Sequence, residues 1–373
     1  MQIGCTKKLI DYLGVAPQPI DNSIDPFYCW TASIFNLNRR HTIIVSNDAS
    51  SYGFVIYGIK KGDLKNIHSL FLEGIYSCFK EECIDSQIID KYLEACSVAV
   101  EFTKTRNAKV LANLNHLRER LYYYGDMIDP SRLLQSHLNH FLNNTYRHFG
   151  DNYRLIKDKF LEEVKARYGE NIHRCQVVDL EITLELNSVC RRRVLVPLHY
   201  TFRNLHTVIQ TLFGWEGYHL HNFWIEWSSQ GLPLYSLECD DIEFYFRQYR
   251  YQLDFCVTLA EIFPKYNHII YHYDLGDNWT HAIELVAIRD NYSKDFPTCI
   301  EGEGTPPPED SGGVSGYAYL LEVANNPNDP DYDDTIAWLE NAEDKTFDLA
   351  KINNKLATMQ IWRGWANASF GSL

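Results

Sequence analysis

Two histidines two residues apart, His219 and His221, lie in an alternating run that reads as a strand over 219–227. That spacing puts both imidazoles on one face, where they can share one transition-metal ion. Further donors follow downstream. Asp274 and Asp277 flank Gly276, whose surroundings predict a turn, and His281 stands one strand period beyond Trp279. Glu309 and Asp310 follow three prolines that stiffen their loop, and they supply carboxylates suited to general-base catalysis. Assembled, His219, His221, Asp277 and His281 would hold a divalent transition metal whose bound water attacks a phosphoester or an amide. Two other readings stand beside this one. The aromatic residues around the set allow a metal-free ligand pocket lined by Trp215, His219, His221, Tyr273, Asp274, Asp277, Trp279, His281, Glu309, Asp310, Gly312 and Gly313. They equally allow a buried hydrogen-bonded lattice that fixes the sheet.

The elements that must position these residues follow from periodicity. A strand at 2–4 and a helix from Thr6 to Leu13 open the chain, and strands at 29–37, 42–45 and 53–57 make an antiparallel meander. Helical spacing recurs at 64–79, 86–95 and 108–124, interrupted by a strand-like run at 98–102. This predicts a small domain over 1–125. Two helices within 131–168, started by Ser131 and Asp151, are expected to form a helical linker over 126–170. A second domain over 171–357 opens with a hairpin at 175–186 and 192–196, followed by an amphipathic helix at 204–213 that Gly214 stops. Strands at 219–227, 268–274 and 279–288 come next, then an acidic loop and helices near 316–325, 332–341 and 349–356, leaving a tail at 358–373. The expected class is α+β: two domains, each a small mixed or antiparallel sheet packed with helices.

Four separated segments of the second half occur in the order of a known family: Gly214-Trp215; His219-Leu220-His221-Asn222-Phe223; Tyr273 to His281; and Cys299 through Pro307-Pro308-Glu309-Asp310-Ser311-Gly312-Gly313 to Tyr317. Over about 170–357 the chain resembles the plasmid pRiA4b ORF-3-like family. Leu275 stands where that pattern carries an aromatic, and Ser311 where it carries a second cysteine, so a pairing of the two loop cysteines is not available here. The first half, through Ile3-Gly4-Cys5-Thr6-Lys7-Lys8-Leu9 and Asn38-Arg39-Arg40, is similar to the bacterial DUF6933 type. Neither resemblance implies an established activity. Some relatives carry a resolvase label, but the arginine-flanked serine nucleophile and basic helix-turn-helix of such enzymes have no counterpart in these residues.

Charge narrows the partners. Of 35 basic and 49 acidic residues, 16 and 15 fall in residues 1–150, so the net charge of −14 belongs to the second half. Such a surface repels a phosphate backbone, which makes nucleic acid an improbable partner for the C-terminal domain. Arg39, Arg40, Lys104 and Arg106 are candidates for a small basic patch in the first half. The ten scattered cysteines accompany no CxxC and no export signal, and no apolar run is long enough to span a membrane, so reduced thiols in a cytoplasmic protein are expected. GxSxG, HExxH and GxGxxG motifs are absent from the sequence. The residues therefore point to a regulatory protein that binds a small ligand or a protein partner, and the family resemblance implies a tie to mobile-element or defence genes. A metal-dependent hydrolase of a small phosphorylated or nucleotide substrate is the alternative.

Overall fold

Apolar strands build two large sheets, one in each of two units. The computed structural model describes residues 1–96, 100–106, 108–240, 249–341 and 346–359. The chain divides into Met1–Cys175 with Ser293–Asp295, and Gln176–Tyr292 with the residues from Phe296 onward.

In the first unit, β1 (Gln2–Cys5), β2 (Cys29–Leu37), β3 (Arg40–Asn47), β4 (Gly53–Tyr57) and β5 (Glu101–Lys104) form a sheet of order β4-β3-β2-β1-β5. The expected meander is β2-β3-β4; β1 pairs in parallel with both β2 and β5. Asn38 and Arg39 turn the β2–β3 hairpin with φ of 47° and 62°, the left-handed pair that a two-residue hairpin loop requires. Helices α1 (Lys7–Leu13), α2 (Ile67–Glu81), α3 (Ser86–Cys96) and α4 (Ala108–Tyr123) accompany the sheet. Gly74 lets α2 approach β4: a Cβ there would lie 2.1 Å from Cε2 of Phe54. Of the expected strand at 98–102, residues 98 and 99 lie outside the described residues.

The segment expected to be a linker, 126–170, packs inside this unit. Its helix α5 (Ser136–Asn143) is joined to β4, because the Asn143 side chain donates to the Gly53 carbonyl at 2.8 Å and accepts from the Gly53 N–H at 2.8 Å. The Tyr57 N–H also donates to the Leu133 carbonyl at 2.7 Å. Neither expected cap forms: the Ser131 hydroxyl donates to Asp129, and Asp151 sits in the turn between β6 (Tyr146–Phe149) and β7 (Asn152–Leu155), ahead of α6 (Ile156–Tyr168).

The second unit is built on β8 (Cys175–Leu184), β9 (Arg191–Pro197), β10 (His221–Trp227), β11 (Pro233–Glu238), β12 (Arg250–Leu253), β13 (His268–Tyr273), β14 (Trp279–Tyr292) and β15 (Thr298–Glu303), in the order β12-β11-β10-β13-β14-β8-β9-β15. Helix α7 (Phe202–Phe213) packs on the sheet. It is started by a reciprocal Thr201–Asn204 capping box and stopped by Gly214 at φ 69°. Its Leu205, Val208, Ile209 and Leu212 meet Phe223 and Ile225, Tyr271 and Tyr273, Trp279 and Ile283, which recur at period two along β10, β13 and β14. Short helix α8 (Leu259–Ile262) precedes β13, and α9 (Gly313–Ala324), α10 (Tyr332–Asn341) and α11 (Leu349–Thr358) follow β15. Arg192 interrupts the apolar pattern of β9 and is 1% exposed. It donates to the carbonyls of Leu212, Arg191, Glu303 and Gly304 at 2.7–3.1 Å, with the rings of Phe213 and Phe347 on its guanidinium at 5.2 and 4.7 Å. The cation thus closes the carbonyl end of α7, where the helix dipole favours positive charge. Among the described residues no helix is long and apolar enough to cross a membrane.

Candidate functional site

Three loops converge at one end of the second sheet. The first leads into β10, the second is the β13–β14 turn, and the third runs from β15 to α9. The turn is fixed by the Tyr273–Trp279 pair and by Asp274 and Asn278 at φ 53° and 55°, a conformation that Asp and Asn tolerate. The Asp274 N–H donates to the Leu220 carbonyl at 2.9 Å, which ties this turn to the first loop. The third loop is tied to the turn by the Gly312 N–H, which donates to Asp277 Oδ2 at 2.9 Å. Gly313, at φ 67°, then passes so close that a Cβ would lie 2.4 Å from the Asp277 carbonyl oxygen.

This convergence brings His219, Asp274 and Asp310 together, one donor atom from each lying within 4.8 Å of the others. His219 Nε2 is 3.1 Å from Asp310 Oδ1 and 3.5 Å from Asp274 Oδ2. Each carboxylate is oriented by its other oxygen. Asp274 Oδ1 accepts from the N–H groups of Gly276 and Asp277 at 3.0 and 3.3 Å, and Asp310 Oδ2 accepts from the Tyr218 hydroxyl at 2.8 Å. Such outer contacts aim carboxylates that serve as ligands. Glu309 is engaged on both oxygens, by the Tyr273 hydroxyl at 2.5 Å and the Glu216 N–H at 2.9 Å. Burial, followed by the Glu309 carboxylate, pushes the Tyr273 phenol well above its ordinary value, so it remains a donor. The Trp215 indole stacks on Tyr273 at 5.3 Å and donates to the Pro307 carbonyl at 2.9 Å, bracing the third loop from beneath.

Two of the expected metal ligands lie elsewhere. His219 and His221 do not share a face, because β10 begins only at His221 and the loop ahead of it turns at Gly217, φ 73°. His221 points inward, with Nε2 2.8 Å from Asp254 Oδ2, which also takes the Arg203 Nε–H at 2.7 Å. Its ring stacks on His206 at 3.6 Å, and His206 Nδ1 meets the Tyr271 hydroxyl at 2.7 Å. Burial lowers both imidazoles, whereas the Arg203 guanidinium and His221 outweigh burial at Asp254 and hold its carboxyl below the usual range. His281 is wholly buried among Phe213, Trp215 and Tyr271, and burial brings it down to about 3. It is a neutral core imidazole on the inner face of β14. Asp277 turns its Oδ2 to the Gly312 N–H rather than to a metal. The sequence reading missed Asp254, Arg203 and His206, which no motif marks, and Tyr218, which orients Asp310.

The basic patch does not assemble around Arg106. That guanidinium donates to Gln2 Oε1 and the Asp21 carbonyl at 2.9 and 3.1 Å and pairs with Asp48 at 3.6 Å, with 12% of its side chain exposed. Arg40 donates to the Pro130 carbonyl at 3.3 Å, Arg39 occupies the hairpin tip, and Lys104 ends edge strand β5.

Residues 176–356 match the profile described as plasmid pRiA4b ORF-3-like protein. The uncharacterized protein y4hQ of Sinorhizobium fredii (strain NBRC 101917 / NGR234) is 30% identical over 178 residues, which cover 48% of this chain and 86% of that protein. The chain belongs to the plasmid pRiA4b ORF-3-like family. A crystal structure of the protein of unknown function MM3350 from Methanosarcina mazei Go1 is 30% identical to this pRiA4b ORF-3-like chain; the match covers 47% of this chain and 96% of that one, with a TM-score of 0.41. Residues 2–156 match a domain of unknown function, DUF6933. Both departures of this pRiA4b ORF-3-like domain from the family pattern have a local account. Ser311 is 4% exposed and donates to the Pro308 carbonyl at 2.8 Å, holding the third loop, while Leu275 is 41% exposed at the turn tip.

Proposed function

We propose that the pRiA4b ORF-3-like domain binds a divalent transition metal through His219, Asp274 and Asp310 and uses it to hold a small anionic ligand. The observation that carries this reading is the approach of three donors from three loops to within 4.8 Å. Ligands ~2.0–2.2 Å from a shared ion stand ~3.0–3.4 Å apart, close to the 3.1 and 3.5 Å separations from His219 Nε2. An imidazole among carboxylates suits zinc, manganese or iron better than calcium or magnesium. Asp310 is 62% exposed at its side chain, so the remaining coordination positions face solvent and can admit a ligand. The acidic surroundings require that an anion be bridged through the cation rather than bound alone. Ligand binding, of the kind a regulatory protein uses, is favoured over hydrolysis because both oxygens of Glu309 are already engaged and Asp310 serves as a ligand.

Titration calorimetry of the metal-stripped chain with Zn²⁺ and Mn²⁺ tests this. One equivalent should bind, with affinity falling at least about tenfold in both His219→Ala and Asp310→Asn. Equal heats for parent and variants would reduce the three side chains to a hydrogen-bonded loop contact.

A further inference from the structure

Helix α9 reverses the usual pattern of a surface helix. Its sequence, Gly-Val-Ser-Gly-Tyr-Ala-Tyr-Leu-Leu-Glu-Val-Ala, is mostly apolar, yet Gly313 and Val323 are the residues it buries. Val314, Ala318 and Leu321, spaced i, i+4 and i+7, lie along one exposed stripe, with Val314 36% and Leu321 41% exposed. Tyr319, elsewhere on α9 with its hydroxyl donating to Asp331 at 3.3 Å, is 53% exposed, and Trp338 on the adjoining α10 is 36% exposed. Contiguous apolar surface of this kind marks an interaction site, whereas single exposed apolar residues do not. The charge of the segment itself is of one sign. From Gly313 to Asn341 the chain carries Glu322, Asp329, Asp331, Asp333, Asp334 and Glu340 and no Lys, Arg or His.

We infer that α9 and α10 form a docking surface for a basic amphipathic helix of a protein partner. An apolar stripe on a segment whose only charges are carboxylates fits a helix that presents leucine-like residues at i, i+3, i+4 and i+7 together with lysine or arginine. A second copy of this chain is disfavoured as the occupant: a two-fold pairing of these helices would bring together two segments that each carry six carboxylates and no cation. The surface begins where the third loop of the candidate site ends, at Gly312 and Gly313, so the partner would sit beside Asp310.

The test is fluorescence anisotropy of a labelled 18-residue Leu/Lys peptide, with leucines at i, i+3, i+4 and i+7, titrated with the full chain. A one-to-one complex is expected, weakened at least about tenfold in Leu321→Glu and in Val314→Glu and weakened by added salt. Leu232→Glu, at a 60% exposed position on a different loop, should bind like the parent. Unchanged thermal midpoints in the two α9 variants would separate lost docking from lost folding. Absence of binding overturns the inference, as does equal affinity for a peptide of the same composition with its leucines scattered off the stripe. Binding that emerges only in Trp362→Ser/Trp365→Ser overturns it too, by assigning the stripe to the chain's own C-terminal residues.

Discussion

Acid should destabilise the second unit through histidines that its core keeps neutral. Burial brings His272 down to about 4 and His281 down to about 3, against about 6.5 in the unfolded chain. Below pH 6.5 the unfolded chain therefore takes up protons that the fold refuses, and stability present above that value is lost as pH falls toward 4. Between pH 7.5 and 5.5 each such histidine costs about 1.4 kcal/mol, so His272 and His281 together cost about 2.7 kcal/mol. His206 and His221, also lowered by burial, act in the same direction. In the first unit, Asp48 raised to about 6 and Glu81 raised to about 8, both by burial, act in the opposite direction, so the comparison must isolate one residue. His281→Phe does so, since the ring is enclosed by Phe213, Trp215 and Tyr271 and a phenyl group can occupy its place. Urea unfolding of parent and variant at pH 7.5 and 5.5 should show the variant's acid penalty smaller by about 1.4 kcal/mol. A penalty equal in the two proteins to within about 0.3 kcal/mol would refute a neutral buried His281.

Three further substitutions test the packing. Asp254→Leu should cost about 3–5 kcal/mol by calorimetry, because it leaves the buried Arg203 without its carboxylate, and Arg203→Met/Asp254→Leu should cost less than the single change. Gly313→Ala should lower stability by about 1–3 kcal/mol from left-handed strain alone, and should also loosen metal binding, since its methyl group would push the third loop off the Asp277 carbonyl. Gly74→Ala should destabilise the first unit by about 1–3 kcal/mol, and Phe54→Leu should restore part of that loss. Chemical denaturation of the two single variants and the double variant measures the coupling.

Strands and helices with clean periodicity were legible in the residues: β2, β4, α7 and α10 fall within two residues of their expected bounds. Strand β15 was not, because Thr298–Glu303 is short and acidic and reads as loop; Arg191 and Arg193 of the neighbouring β9 supply its countercharge at Glu301 and Glu303. The candidate site was legible as a set of loops but not as a set of ligands. Period-two reasoning holds only inside a strand, and His219 lies two residues before one. Whether Asp274 or Asp277 faces His219 depends on a left-handed turn residue, and the inward course of His221 depends on Asp254, some 30 residues away in sequence.

The buried guanidinium of Arg192 has a consequence in time. It gathers carbonyls from β9, from the end of α7 and from residues 303–304, so it can be satisfied only after more than a hundred residues beyond it have emerged from the ribosome. Until then a growing chain carries His219 and Asp274 without Asp310, and a guanidinium that still lacks acceptors. Closure of β15 onto β9 satisfies the cation, and Asp310 follows in the loop that leaves β15. A truncated product lacking the region around residue 304 should therefore bury an unsatisfied guanidinium and also lack Asp310, so it should neither hold the fold of the second unit nor bind a metal at the three loops.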